Sequence, residues 1–178
     1  SRSSKISKKQ ISVLPFLISA VVLIPALILS VILMRIESNT SMSSNALNNY
    51  AGQTDKNSAI SQKLLRLIKQ HSNYVLESKV ADPNYKIQIA YYLFNSGEQK
   101  ESIRVVNELV ENNPRNLYAL DAVALLSREI NDPTAEIQAR KSISRLDPWN
   151  AKNYLNLMIL YKAAGEITNA QLMLDKIL

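Results

Sequence analysis

Two hydrophobic patterns divide the chain. Residues 11 to 34 form an uninterrupted run without a charged side chain. A helix of that length reaches ~36 Å, enough to cross a hydrocarbon core of roughly 30 Å. In the second half, apolar residues recur about every 34 residues, as in the column Ile89, Val123 and Leu157 and the column Leu109, Ile143 and Ile177. The first pattern predicts a membrane-spanning helix over residues 11–36, and the second predicts stacked pairs of helices.

Turn and capping residues follow the same period. Three copies of the repeat begin at Pro83, Leu117 and Ala151. The fifteenth position of each copy holds Gly97, Asn131 or Gly165, the residue types that best tolerate a left-handed backbone after a helix. The junctions Asn113-Pro114-Arg115-Asn116 and Asp147-Pro148-Trp149-Asn150 each place a proline where a helix must stop and an asparagine that can cap the next helix. Each repeat is therefore predicted to be one helical pair.

At this point the chain resembles the tetratricopeptide repeat family. The third copy carries the resemblance most fully, through Tyr154, Leu157, Tyr161, Gly165, Ala170 and Leu174. Met158 and Glu136 depart from the family pattern, which has glycine and alanine there, and the neighbouring Ala135 suggests that the middle helix is shifted by one residue. The resemblance implies an all-α fold, with an α-solenoid of about three hairpins over residues 83–116, 117–150 and 151–178.

The segments before the repeats are polar or mixed. Residues 1–10 are read as a basic flank, and residues 37–57, rich in Ser and Asn, as a polar linker or a poorly specified helix. Residues 58–82 are expected to form a helical cap or irregular first hairpin, with Ile60, Leu64, Leu67 and Ile68 on one helix face.

Charge sets the expected topology. Only Arg35 lies within fifteen residues after the apolar run, whereas four basic residues precede it: Arg2, Lys5, Lys8 and Lys9. This asymmetry predicts a single-pass protein with a cytoplasmic amino terminus and periplasmic or other extracytoplasmic repeats. A cleaved signal peptide is the alternative, but its apolar stretch usually has about 7 to 15 residues. The net charge of +6 falls to +2 without the four flanking residues, so the composition does not favour nucleic-acid binding.

The sequence offers no pattern typical of catalysis. It has no cysteine and only one histidine, His71, which is expected to be solvated or bonded to a carbonyl. No phosphate-binding loop, zinc spacing or dinucleotide fingerprint occurs, and Asp121 and Glu129 have the spacing of ordinary surface charges. Asn39-Thr40-Ser41 matches the weak glycosylation pattern. We therefore predict no catalytic residue, cofactor or metal for this chain.

Binding of a protein or peptide is the expected activity. In the tetratricopeptide family the first helix of each repeat lines a concave groove, and the resemblance carries that role to Tyr91, Phe94, Tyr118, Asp121, Arg128, Lys152 and Lys162. Arg128 and Lys162 would hold an acidic or carboxyl-bearing segment, and the aromatic residues would supply apolar area. The alternative is that Tyr91 and Phe94 belong to the core and the basic residues to a solvated face.

A second, less specific resemblance concerns the whole architecture. A basic loop, one span, a polar segment and helical repeats containing ENNPRNLYAL and LDPWN are similar to the tail of bacterial O-antigen ligase or polymerase-like membrane proteins. Three functional classes thus remain open: a freestanding anchored scaffold, the non-catalytic tail of a membrane glycan ligase or polymerase, and a receptor or assembly factor for a peptide terminus.

Overall fold

The computed structural model describes residues 13–178, with side chains at residue 21 and from residue 23 onward. The basic flank at residues 1–10 and the first two residues of the apolar run lie outside the described part. Within it the chain is entirely helical, with eight helices and no strand. They are α1 (Val13–Ala51), α2 (Ala59–Glu77), α3 (Pro83–Asn95), α4 (Gln99–Asn112), α5 (Leu117–Glu129), α6 (Pro133–Leu146), α7 (Ala151–Ala163) and α8 (Ile167–Asp175).

The helices pack in consecutive pairs. α1 packs most extensively on α2, α3 on α4, α5 on α6 and α7 on α8. Smaller contacts join each pair to the next, and α3 also touches both α1 and α5. The helices α3, α5 and α7 begin at evenly spaced positions, and α4, α6 and α8 begin at the same even spacing. The period found in the sequence is therefore also the period of the helix boundaries from residue 83 onward.

From Leu23 to Met34, α1 is apolar and its side chains are mostly exposed. Leu27 is 65% exposed and Met34 is 70% exposed. Within Leu23–Ala51, only 11% of the apolar 18-residue window is buried. The core helix of a globular domain would instead be mostly buried. By length and composition it is the one helix in the described part of the chain that could cross a membrane.

The second half of α1 occupies the segment expected to be a polar linker. Residues 37–51 continue the helix without a break to Ala51. Ile36, Thr40, Ser43 and Ala46 recur at helical spacing and are buried, so they form a packed stripe. This stripe stabilises a helix that the Ser- and Asn-rich composition alone does not favour. The connection to α2 therefore occupies only residues 52–58.

Helix α2 fills the predicted cap region, but it buries a partly different face. Ser58 caps it by accepting a hydrogen bond from the Ser61 backbone N–H. Ile68 and Val75 are fully buried, whereas Ile60, expected on the buried face, is 61% exposed. Ile60 lies in the first turn, beside the exposed 52–58 connection, where no neighbouring helix covers it.

Local signals in the repeats are confirmed. The Asn116 side chain accepts from the Ala119 N–H, and the Asn150 side chain from the Asn153 N–H. After the first helix of each pair the backbone is left-handed, with φ of 96° at Gly97, 59° at Asn131 and 76° at Gly165. These residues end each first helix and allow the chain to reverse into the second.

The predicted core columns point inward. Ile89 is fully buried and Leu157 is 1% exposed, while Val123 is half-buried. Glu136 and the residues one repeat before and after it, Ser102 and Ala170, are all buried. Helix α6 begins in step with α4 and α8, so the one-residue shift inferred from Ala135 does not occur. Glu136 itself occupies the buried position.

Candidate partner-binding cleft

A cleft of about 240 Å³ lies where the first turns of α5 and α7 approach α6. It is lined mainly by polar side chains: Leu117, Tyr118, Asp121, Arg140, Asn150, Lys152, Asn153 and Asn156. Tyr118 on its rim is 73% exposed. The cleft is therefore open to solvent, with one aromatic ring and charges of both signs at its mouth.

The two capping asparagines position the rim. Because Asn116 and Asn150 each bind the third backbone N–H of their helix, they fix where the first turns of α5 and α7 begin. Tyr118 and Lys152 occupy the same place in these first turns, one repeat apart. The repeat thus places an aromatic and a cationic side chain on the same cleft.

A buried charged network forms the floor. The Arg140 side chain is only 3% exposed, and its Nε donates to Glu136 Oε1 at 2.7 Å. The Glu136 carboxylate, 2% exposed, also accepts from the Arg128 guanidinium, which is 46% exposed. Arg140 Nη1 lies 3.9 Å from Asp121 Oδ1, beyond hydrogen-bond distance. Arg140 therefore lines the cleft with its Nη1 held only by this longer ionic contact.

Asn153 adds an unpaired acceptor to the same floor. Its Nδ2 donates to the Arg140 carbonyl oxygen at 2.8 Å. Its Oδ1 is buried and has no hydrogen-bond partner among the described residues. An unpaired buried polar atom costs free energy, about 1–3 kcal/mol by mutational measurements.

Asp121 influences the aromatic side chain behind the cleft. Burial raises the pKa of the Tyr91 hydroxyl, and the negative charge of Asp121 raises this pKa further. The Tyr91 phenol therefore stays protonated at neutral pH and keeps a hydrogen-bond donor near the Asp121 carboxylate.

The structure gathers only part of the predicted groove. Tyr118, Asp121 and Lys152 line the cleft. Arg128 stands at its edge, where it donates to Asn156 Oδ1 at 3.3 Å, but Glu136 already compensates its charge. Arg128 therefore shares the Glu136 carboxylate with Arg140, and its role in holding an acidic segment of a partner stays a prediction.

The other predicted groove residues lie outside the cleft. Tyr91 and Phe94 are partly buried and pack on the core cluster that contains Ala90 and Leu126, as the alternative interpretation expected. Lys162 is exposed in the last turn of α7 and does not line the cleft.

Sequence reasoning missed Arg140, Asn153 and Asn156. One feature of the sequence pointed to Arg140: Glu136 stands at a position where the repeat favours a small residue. A carboxylate buried there requires a cation within reach, and Arg140 lies one helical turn away on the same helix. Asn153 gave no comparable signal, because its role depends on a contact between different helices.

The remaining polar groups of the described residues form no metal-binding cluster. Over the described residues, no group of three or more metal-binding side chains lies close enough to hold an ion. His71 Nδ1 lies 2.8 Å from Asn39 Oδ1, and Asn39 Nδ2 donates to the Arg35 carbonyl oxygen. These contacts join α1 to α2 and engage the asparagine of the glycosylation pattern.

Because comparisons with known proteins found no match, the cleft is the main evidence for function. No model of a known protein family matches the chain, and no curated protein matches it significantly.

Proposed function

We propose that this chain is a membrane-anchored interaction scaffold, whose tetratricopeptide-like array binds a peptide segment of a partner protein at the cleft between α5, α6 and α7. The observation that carries the proposal is the cleft floor. There the guanidinium of Arg140 lines a solvent-open space rimmed by Tyr118 and Lys152. Arg140 and Lys152 suit carboxylate or carbonyl oxygens of a peptide.

The array interpretation rests on the helix boundaries. Helices of matching position begin at a constant interval along the chain, each first helix ends at a left-handed residue, and each pair packs on the next. These features support an α-solenoid, in which a repeated surface binds extended partners.

The membrane interpretation rests on α1. From Leu23 to Met34 its apolar side chains are mostly exposed, whereas in its polar half Thr40, Ser43 and Ala46 are buried, and α1 packs on α2 and α3. A bilayer around the apolar half would remove that exposed surface from water. The charge asymmetry in the sequence favours a cytoplasmic amino terminus, so the array lies on the extracytoplasmic side.

Two related functions use the same surface. The array is either a freestanding receptor or assembly factor, or the non-catalytic tail of an O-antigen ligase or polymerase-like membrane protein. The upstream reading frame distinguishes them, because further hydrophobic spans would favour the enzyme tail.

A peptide array tests the binding proposal. The full chain in lipid nanodiscs is incubated with synthetic random octapeptides that end in either a free carboxylate or an amide. We expect bound peptides to be enriched in acidic residues or to require the free carboxylate. Lys152→Glu should weaken binding roughly tenfold, the effect of about 1.4 kcal/mol.

Lys162→Glu is the matched control, since it makes the same charge change in the same helix but outside the cleft. It should leave binding unchanged. Equal losses in the two variants, or the absence of peptide binding by the unmodified chain, would contradict the proposal.

A further inference from the structure

The packing of α1 on α2 shows which end of the array lies beside the apolar half of α1. His71 on α2 contacts Asn39 on α1, and Val75 shares a buried cluster with Ile36. The two helices are therefore antiparallel, so later residues of α2 lie level with earlier residues of α1. Ile32, inside the apolar run, packs on the same cluster.

The connection between α2 and α3 follows at this end. The antiparallel register places Glu77, the last residue of α2, level with residues 33–34 of α1. The apolar run ends at Met34. The 78–82 connection thus lies at the level where a spanning helix leaves the hydrocarbon, and Val80 there is 48% exposed.

The later connections between helix pairs continue the same edge. A cavity of about 390 Å³ is lined by both Lys79 and Asn112, so the end of α4 lies beside the 78–82 connection. The partner-binding cleft is lined by both Leu117 and Asn150, so the start of α5 lies beside the start of α7. Residues 78–82, 113–116 and 147–150 therefore form a continuous boundary, here named the inter-pair edge.

Trp149, the single tryptophan of the chain, projects from the far end of this edge and is 91% exposed. An indole so exposed contributes little to the fold, yet its apolar ring and N–H donor suit the boundary between hydrocarbon and headgroups. The charges of the edge balance, with Lys79 and Arg115 against Asp82 and Asp147. Attraction to a membrane along this edge would therefore depend on apolar contact rather than on anionic lipid.

We propose that the inter-pair edge rests on the surface of the bilayer that α1 spans, with the Trp149 indole in the headgroup region. This inference depends on the proposed membrane span. Because the span tethers the array beside the bilayer, contact with the surface is intramolecular and needs little affinity of its own. The partner-binding cleft then opens next to the membrane, so partners that themselves lie near the bilayer are favoured.

Tryptophan quenching by brominated lipid tests this arrangement in the full chain. The protein is placed, one chain per disc, in phosphatidylcholine nanodiscs whose acyl chains carry bromine either near the headgroup or near the bilayer centre. In the unmodified chain, Trp149 emission should fall and shift to the blue with the shallow bromines, and addition of anionic lipid should not alter the loss.

Two variants in a Trp149→Phe background provide the controls. Leu27→Trp places the probe in the apolar half of α1 and should be quenched by the deep bromines. Ile60→Trp places it at the opposite end of α2, about 24 Å above the end of the apolar run, and should not be quenched. Both host positions are already exposed, at 65% and 61%, so the fold should tolerate the larger ring.

The outcomes separate the two proposals. Quenching at Leu27→Trp without quenching of Trp149 would overturn the docked edge and leave the span intact. Equal quenching of Trp149 and Ile60→Trp would also overturn it, because contact would then lack a defined face. Absence of quenching at Leu27→Trp would refute the membrane span, and the docked edge with it.

Discussion

Replacing Glu136 by alanine tests the buried network directly, because the repeat pattern and the structure predict opposite results. The tetratricopeptide pattern has alanine at this position, so resemblance alone predicts a tolerated or stabilising change. In the structure, Glu136 is the carboxylate that compensates Arg140, whose side chain is 3% exposed. Its removal would leave that cation buried with a single contact to Asp121 at 3.9 Å.

The size of the effect follows from burial. Removing one partner of a buried ion pair typically costs about 3–5 kcal/mol. We expect a value of about 3 kcal/mol, at the low end of that range, because Asp121 remains near Arg140 and because the 46% exposed Arg128 loses little when it returns to water. For a chain of this size, about 3 kcal/mol corresponds to a fall of roughly 6–12 °C in the unfolding midpoint.

Thermal unfolding of the full chain in detergent micelles, followed by far-UV circular dichroism, measures this loss. Adding Arg140→Met to Glu136→Ala should recover most of the stability, because the uncompensated charge is then absent. Glu129→Ala removes an exposed carboxylate and should leave the midpoint within about 2 °C. A Glu136→Ala midpoint equally close to that of the unmodified chain would refute the reasoning.

Three further changes address other parts of the fold, each measured by the same unfolding midpoint. Gly97→Ala should cost about 1–2 kcal/mol of stability, because φ is 96° and no atom crowds the site. Gly52→Ala, at an ordinary φ, should leave the stability unchanged. Equal losses in the two variants would disprove the backbone argument. Asn150→Ala should lose the cap of α7 and about 1 kcal/mol; an unchanged midpoint would show that the cap is dispensable. Ile36→Ala should lower the free energy of unfolding by about 2–5 kcal/mol. Met34→Ala, at a 70% exposed position, should leave it unchanged. Similar losses in the two variants would mean that Ile36 does not anchor α1 to the core.

Features that depend on neighbouring residues were predictable from the sequence. The left-handed residues, the asparagine caps and the proline boundaries all act within a few residues of chain, so their chemistry is visible without a fold. The repeat period then placed Ile89 and Leu157 inward, because each packing position recurs in the next copy. Local chemistry and repetition together predicted where α5 and α7 begin.

Features that depend on contacts between distant segments were not predictable in the same way. The polar half of α1 is helical because Thr40 and Ser43 are buried against other helices, a role that Ser and Thr do not signal by composition. The cleft floor likewise requires Glu136, Arg140 and Asn153 from two helices. Only Glu136 gave a signal in the sequence, as a charged residue in a column of small ones.

One unbroken helix joins the apolar half of α1 to its packed half. No glycine or proline interrupts the chain between Leu27 and Ala51, so the joint has neither a swivel nor a hinge. Torque applied to the later helices would therefore turn the exposed apolar side chains of α1, and tilting of the apolar half would move the later helices with it. Insertion of one residue before Arg35 would turn the two halves by about 100° relative to each other. The number of residues in this helix therefore sets the rotation of the later helices relative to its apolar half.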